Sequence, residues 1–305
     1  MYSELFQLMG MMFLMMGAGF FLKKGKLISD AGKKGIVNLI LYVVLPCNIV
    51  NAFSMKLEEN FWVGFSQALI VATAIQVLCM ILAKTLYNRM PKGEKQVFQY
   101  ATVCSNAGFM GNPLAQGVFG DLGLLYASVF LIPQRIVMWT AGVSYFTENG
   151  DKKTAVKKVL VHPCMIAVYI GMVIMVFQLK LPDVLSNTVK SFSSCCTAMT
   201  MLYIGTVLAD VKFRELCSKK QVYFMLIRLI LIPTVVFAAC MLAHVDTLVM
   251  GVCVLLTATP AGSTTSILAS KYGADEEAAA KCVVFTTALS VITIPIWSAI
   301  LINCL

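Results

Sequence analysis

Two stretches of the chain decide how it folds: AGFMGNPLAQGVFGD at 107–121 and AGSTTSILASKYGAD at 261–275. At a constant offset they share Ala107/Ala261, Gly108/Gly262, Leu114/Leu268, Ala115/Ala269 and Asp121/Asp275. Each lies within a long apolar run, and each is a poor continuous helix. The run that holds the first carries Asn106, Gly108, Gly111, Asn112 and Pro113 near its middle. Proline lacks an N–H and clashes with the preceding turn, while glycine permits non-helical dihedrals. Asn112-Pro113 reads as an N-cap followed by proline at the first helical position, which predicts a new half-helix beginning there. The run that holds the second repeats the arrangement with Thr259-Pro260, then Gly262, Ser263, Thr264, Thr265 and Ser266, and is predicted to stop near Gly273.

The surroundings of these stretches are lipid-like. Of the 305 residues 59% are apolar and 13% charged, against roughly 45–50% and about 25% in soluble globular domains. The mean hydropathy is +0.83. Disordered tails, nucleic-acid readers and secreted disulfide scaffolds are excluded by that balance. A membrane-crossing helix needs about 20 predominantly apolar residues. Such runs fall at 4–22, 36–55, 61–83, 96–119, 122–146, 163–179, 184–209, 221–243, 247–270 and 278–303. The first is not read as a signal peptide, because Glu4 precedes it and Lys23, Lys24 and Lys26 follow. The 11 cysteines show no C-x-x-C spacing, so Cys195 and Cys196 read as packing residues, like the 19 methionines.

The net charge of +9 is a topology signal rather than a nucleic-acid patch. Odd-numbered loops between the runs hold Lys23, Lys24, Lys26, Lys33 and Lys34; Lys84, Arg89, Lys92 and Lys95; Lys152, Lys153, Lys157 and Lys158; Lys212, Arg214, Lys219 and Lys220; and Lys271 with Lys281. Even-numbered loops hold only Lys56 and Lys180. The positive-inside rule then puts the protein in the plasma (cytoplasmic) membrane as a multi-pass chain with both termini outside.

Ten runs divide into two sets of five, 1–150 and 151–305. An odd number of spans per half gives related halves opposite orientations, which is the inverted-repeat plan of secondary transporters. The two opening stretches then occupy the fourth run of each half. Unwound backbone at that depth is tolerated only where it is buried in protein or lines a wet cavity. Two half-helix N-termini there would offer free N–H groups and partial positive charge, a site suited to an anion.

These segments resemble the auxin efflux carrier family of membrane transporters. The matching stretches are LYVVLPCNIV at 41–50, SNAGFMGNPL at 105–114, TATPAGSTTSILASKYGAD at 257–275 and SVITIPIW at 290–297. The resemblance implies an all-α membrane protein of ten transmembrane helices, built as two five-helix inverted repeats with broken helices 4 and 9 crossing at the substrate site, the bile-acid/sodium symporter-like fold. It also implies transport of small organic anions such as carboxylates and dicarboxylates. The long central loop of plant carriers is missing, and the length and compact loops look bacterial.

Arg135 is the most informative charge inside a run. At 1.5 Å per residue it lies ~20 Å and ~16 Å from the two ends of 122–146, too deep to snorkel easily. It is expected to pair bidentately with a substrate carboxylate or to hold carbonyls freed by a broken helix. Arg228 and Lys190 lie only six or seven residues inside their runs and are expected to snorkel outward, with a substrate or gating role as the alternative. His162 and His244 read as interfacial. Asp121, Asp210 and Asp275 occur only at run ends or in loops, which disfavours a proton relay through a buried carboxylate.

The expected substrate-binding set is therefore Asn106, Gly108, Gly111, Asn112, Pro113, Arg135, Pro260, Gly262, Ser263, Thr264, Thr265 and Ser266, with no cofactor and no metal. The expected partners are a small organic anion and the bilayer, without nucleic acid. Coupling to sodium or protons and a homodimeric state both stay open. Zinc-protease, nucleophile-elbow and P-loop motifs are absent, and two histidines leave acid–base chemistry few candidates, so an enzyme is not expected. The alternatives are a sodium-coupled organic-anion symporter of the bile-acid type and a channel or membrane sensor.

Overall fold

The computed structural model describes residues 2–54, 61–146, 161, 163–209, 218–262 and 264–304. The basic residues Lys56, Lys152, Lys153, Lys157, Lys158, Lys212 and Arg214 lie outside the described residues, as do His162, Asp210 and Ser263. The described chain is helical, and its only strand-like feature is an isolated bridge.

In order, the helices are α1 (Tyr2–Lys24), α2 (Asp30–Phe53), α3 (Phe61–Leu86), α4 (Lys92–Val103), α5 (Ala107–Val137), α6 (Pro163–Val176), α7 (Asp183–Ser194), α8 (Cys196–Ala209), α9 (Lys219–Leu242), α10 (Thr247–Thr257), α11 (Thr264–Lys271) and α12 (Glu276–Ile302). Five stretches among the described residues are long and apolar enough to cross a membrane: Asp30–Phe53, Trp62–Leu86, Ala107–Val137, Lys219–Leu242 and Glu276–Ile302. Their outward faces carry large exposed apolar side chains such as Tyr42, Ile70, Leu242 and Ile292, a surface that water would not tolerate and lipid does.

Local chemistry sets the helix starts. Ser29, Ser218, Asp246 and Asp275 each accept a hydrogen bond from a backbone N–H of the first turn they precede. Within α5, Gly120 adopts φ 69° and ψ −162°, so the stretch breaks there into two arms. Only glycine takes those angles cheaply. Gly273, at φ 67°, follows the end of α11.

Proline shapes the interiors. Three π-turns, at Ile40–Val44, Ala107–Gly111 and Leu226–Leu231, each end two residues before a proline: Pro46, Pro113 and Pro233. Widening the turn relieves the clash between the proline ring and the carbonyl four residues earlier. The freed carbonyl then needs a donor. At Leu229 it finds one in Trp297, whose Nε1 donates at 3.0 Å from α12.

α1 packs along α8, α2 against α6 and α7, and α3 and α10 against α5. The α1–α8 contact is backbone to backbone: a Cβ on Gly19 would stand 2.0 Å from the Leu202 carbonyl oxygen, and one on Gly205 1.9 Å from that of Met16.

Candidate functional site

The breaks between α4 and α5 and between α10 and α11 meet. Ser105 and Ala261 face each other as an isolated antiparallel bridge. The Asn106 N–H donates to the Pro260 carbonyl at 2.7 Å, and the Gly262 N–H donates to the Cys104 carbonyl at 2.9 Å. Each unwound segment thus supplies the backbone partners that the other lost on leaving the helix. The Ala261 N–H is satisfied by Thr286 Oγ1 of α12 at 3.2 Å. Gly262 suits this approach, since a Cβ there would stand tightly, 3.2 Å from the Cys104 oxygen and 3.3 Å from that of Ser105.

Beside the crossing lies a cavity of about 70 Å³. The crossing contributes Ser105, Asn106, Gly108, Gly262 and Thr264 to its lining, and the second arm of α5 contributes Gln134 and Arg135. Leu41, Leu45, Phe109, Leu131 and Met138 form the apolar remainder. Gln134 and Ser105 satisfy each other: Ser105 Oγ donates to Gln134 Oε1 at 3.0 Å, and Gln134 Nε2 donates to the Ser105 carbonyl at 2.8 Å. The Tyr100 hydroxyl donates to Thr264 Oγ1 at 3.2 Å.

Arg135 differs from these neighbours. Its residue is 6% exposed, and its Nη1 is buried without a hydrogen-bond partner. Its Nη2 lies 3.9 Å from where a Cβ of Gly108 would stand, which puts the guanidinium over the first turn of α5. Among the described residues the buried charged side chains are Arg135 and Arg228, with no buried carboxylate. An uncompensated charge in such a setting is costly and raises the affinity of the cavity for an anion. The starts of α5 and α11 add partial positive charge at the crossing.

Arg228 corrects the sequence expectation. It does not snorkel outward: it is 2% exposed, and its Nη1 donates to the Thr102 carbonyl at 3.3 Å. Thr102 lies in the last turn of α4, where carbonyls lose their helical donors and the helix dipole is negative. Arg228 therefore serves the end of the half-helix that runs into the crossing. Lys190 and His244, in contrast, are exposed.

Asn112 is a second correction. Its φ −57° and ψ −52° are helical, and the helix resumes at Ala107 with Asn106 as the flanking residue. The π-turn absorbs Pro113, so no cap is needed at Asn112. Both polar side-chain atoms of Asn112 are buried without a partner, outside the cavity lining. Of the remaining expected residues, Gly111 admits Leu256 and Thr259 at close range, and Pro260 contributes its carbonyl to the crossing. Pro113 continues α5, and Thr265 and Ser266 lie in the first turn of α11, away from the lining. Ser105 and Gln134 were missing from the expected set. Gln134 was legible in principle, as a polar neighbour of Arg135 after Pro133 inside an apolar run.

Comparison with known proteins finds membrane transporters. An "Uncharacterized transporter" of Methanocaldococcus jannaschii is 22% identical over 299 residues, covering 93% of this chain and 95% of that protein. Another "Uncharacterized transporter", of Methanothermobacter thermautotrophicus, is 23% identical over 238 residues, 74% of this chain and 78% of its own length. A Rhizobium meliloti protein named "Putative malonate transporter" is 20% identical over 265 residues, 84% of this chain and 82% of that protein. The model of the family described as membrane transport protein matches residues 5–298. The chain, an integral membrane protein, belongs to that auxin-efflux-carrier-like transporter family.

Proposed function

We propose that the protein is a secondary active or potential-driven carrier of small organic anions, working by alternating access around the crossing of its two broken helices. The observation that carries this reading is the buried Arg135 guanidinium, with a partnerless Nη1, on a cavity beside that crossing. An anion entering the cavity supplies the missing charge. Asn106, Gly108, Gly262 and Thr264 border the same space and orient a carboxylate against the helix starts. The malonate named for the Rhizobium meliloti relative is an anion of this kind.

In this reading the chain crosses the plasma membrane ten times, as two inverted five-helix repeats spanning 1–150 and 151–305, with both termini outside. The distribution of lysine and arginine between the loops supports that orientation. The shared residues of the two opening stretches support the repeat, and their meeting at Ser105 and Ala261 supports a central site. The work done is transport rather than catalysis. One group of helices moves against the other, and contacts such as Asn48 Nδ2 donating to Gln116 Oε1 at 3.3 Å, from α2 to α5, break and re-form.

Counterflow in proteoliposomes of the purified protein tests the proposal, with radiolabelled pyruvate and malonate as probes. A carrier gives saturable uptake that is accelerated by unlabelled anion on the opposite side, and Arg135→Gln abolishes it. Flux that does not saturate identifies a channel, and absence of flux a sensor. Imposed sodium and proton gradients in the same vesicles identify the coupling ion.

A further inference from the structure

We infer, resting on the anion-carrier reading above, that the substrate carries a single negative charge and is a three- or four-carbon monocarboxylate rather than a dicarboxylate dianion. The charge count comes first. Among the described residues Arg135 is the one charged side chain on the cavity, and the other buried cation, Arg228, is engaged with the Thr102 carbonyl. One guanidinium forms a bidentate pair with one carboxylate and is then neutralised. Helix N-termini add only partial charge, and that contribution falls off within the first turn.

A second carboxylate would have to be held by what remains of the lining. The neutral polar side chains there, Ser105, Asn106, Gln134 and Thr264, add no second positive charge, and Ser105 and Gln134 already bond each other. α2 contributes only Leu41 and Leu45, α5 adds Phe109 and Leu131, and Met138 follows directly on the end of α5. An ionised carboxylate against those five side chains is desolvated without compensation. A methyl or short alkyl group is at home there. Arg135 thus selects the charged end of the substrate and the leucine, phenylalanine and methionine wall selects an apolar tail.

Size agrees with charge. A cavity of about 70 Å³ has room for on the order of five water molecules, at ~10–15 Å³ of such volume per water. That matches a molecule the size of pyruvate or lactate.

Ligand-induced thermal stabilisation of the purified full-length protein in detergent, at pH 7.5 and constant ionic strength, separates the outcomes. Pyruvate, lactate and 2-oxobutyrate are compared with malonate, succinate and indole-3-acetate. The expected result is stabilisation by the three small monocarboxylates at concentrations at least tenfold lower than any of the other three requires. Stabilisation by malonate or succinate at equal or lower concentration overturns the inference and leaves the anion-carrier reading standing. Stabilisation by none of the six overturns both. A charge-addition variant provides a second, independent readout. Leu45→Lys, or Met138→Lys where the first does not accumulate, places a second cation on the apolar wall. It should improve malonate binding at least tenfold relative to pyruvate; an unchanged ratio in a folded variant counts against the inference.

Discussion

Arg228 reaches across from α9 to donate to the Thr102 carbonyl at 3.3 Å, joining the interior of one helix to the end of the half-helix α4. The contact is fully buried, and hydrogen bonds to charged groups contribute about 1.5–3 kcal/mol. Arg228→Met should therefore destabilise the protein by about that amount. It should also raise the KM for the transported anion, because α4 delivers Ser105 and Asn106 to the cavity. Arg228→Lys keeps a donor of the same charge and should recover part of both. Thermal denaturation and initial-rate kinetics on the three proteins check this; identical KM values in wild type and Arg228→Met would remove Arg228 from the positioning of the site.

Replacing Arg135 should not carry that stability cost. The Arg135 guanidinium has a buried donor with no partner, so the ligand-free protein bears the cost of an uncompensated charge. Arg135→Gln removes that charge. The ligand-free variant should melt at the wild-type temperature or above it, while stabilisation by added carboxylate disappears. A large drop in the melting temperature of the ligand-free Arg135→Gln protein would instead assign Arg135 a structural bond.

The sequence carried the two breaks but not their fine geometry. Glycine, asparagine and proline between residues 104 and 113 and between 258 and 264 announce where helices fail, because their backbone limits are local properties. Where the helix resumes is not local. Pro113 suggested a start at Asn112, yet the π-turn at Ala107–Gly111 takes up the proline clash and lets the helix begin five residues earlier. The role of Arg228 was hidden for a related reason. Counting residues from the end of a run measures depth along the helix axis and says nothing of which side the side chain takes. Only packing against α4 reveals that it points to Thr102. Gln134 was obscured by its neighbour: its partner Ser105 lies 29 residues away, and no spacing rule links the two.

Glycines along α1 and α8 should divide sharply in their tolerance of a methyl group. A Cβ on Gly205 would stand 1.9 Å from the Met16 oxygen, and both groups involved are backbone, which cannot rotate away. Gly10 and Gly17 have nothing within 4 Å of the equivalent position. Gly205→Ala must push α1 and α8 apart, at a cost of about 1–3 kcal/mol or more. Gly17→Ala should be neutral or slightly stabilising through the better helix propensity of alanine. The amount of folded protein recovered in the membrane and its melting temperature measure the difference; equal behaviour of Gly205→Ala and Gly17→Ala would refute the close packing of these helices.

The crossing itself can be locked. The hydrogen bonds from Asn106 to Pro260 and from Gly262 to Cys104 flank Ser105 and Ala261, which makes those two a non-hydrogen-bonded antiparallel pair. Such pairs hold their Cα atoms about 4.5 Å apart, within the range of a disulfide. Ser105→Cys combined with Ala261→Cys, with Cys104 changed to Ser to prevent mispairing, should form a bond on mild oxidation. In an alternating-access carrier the two broken helices travel together, since the backbone bonds joining them lie within one moving body. Oxidised double-cysteine protein should then retain counterflow at a rate within a few-fold of its reduced form. A complete and reductant-reversible block would show instead that the two breaks separate during each cycle, and that the bonds between Asn106 and Pro260 and between Gly262 and Cys104 are themselves the gate.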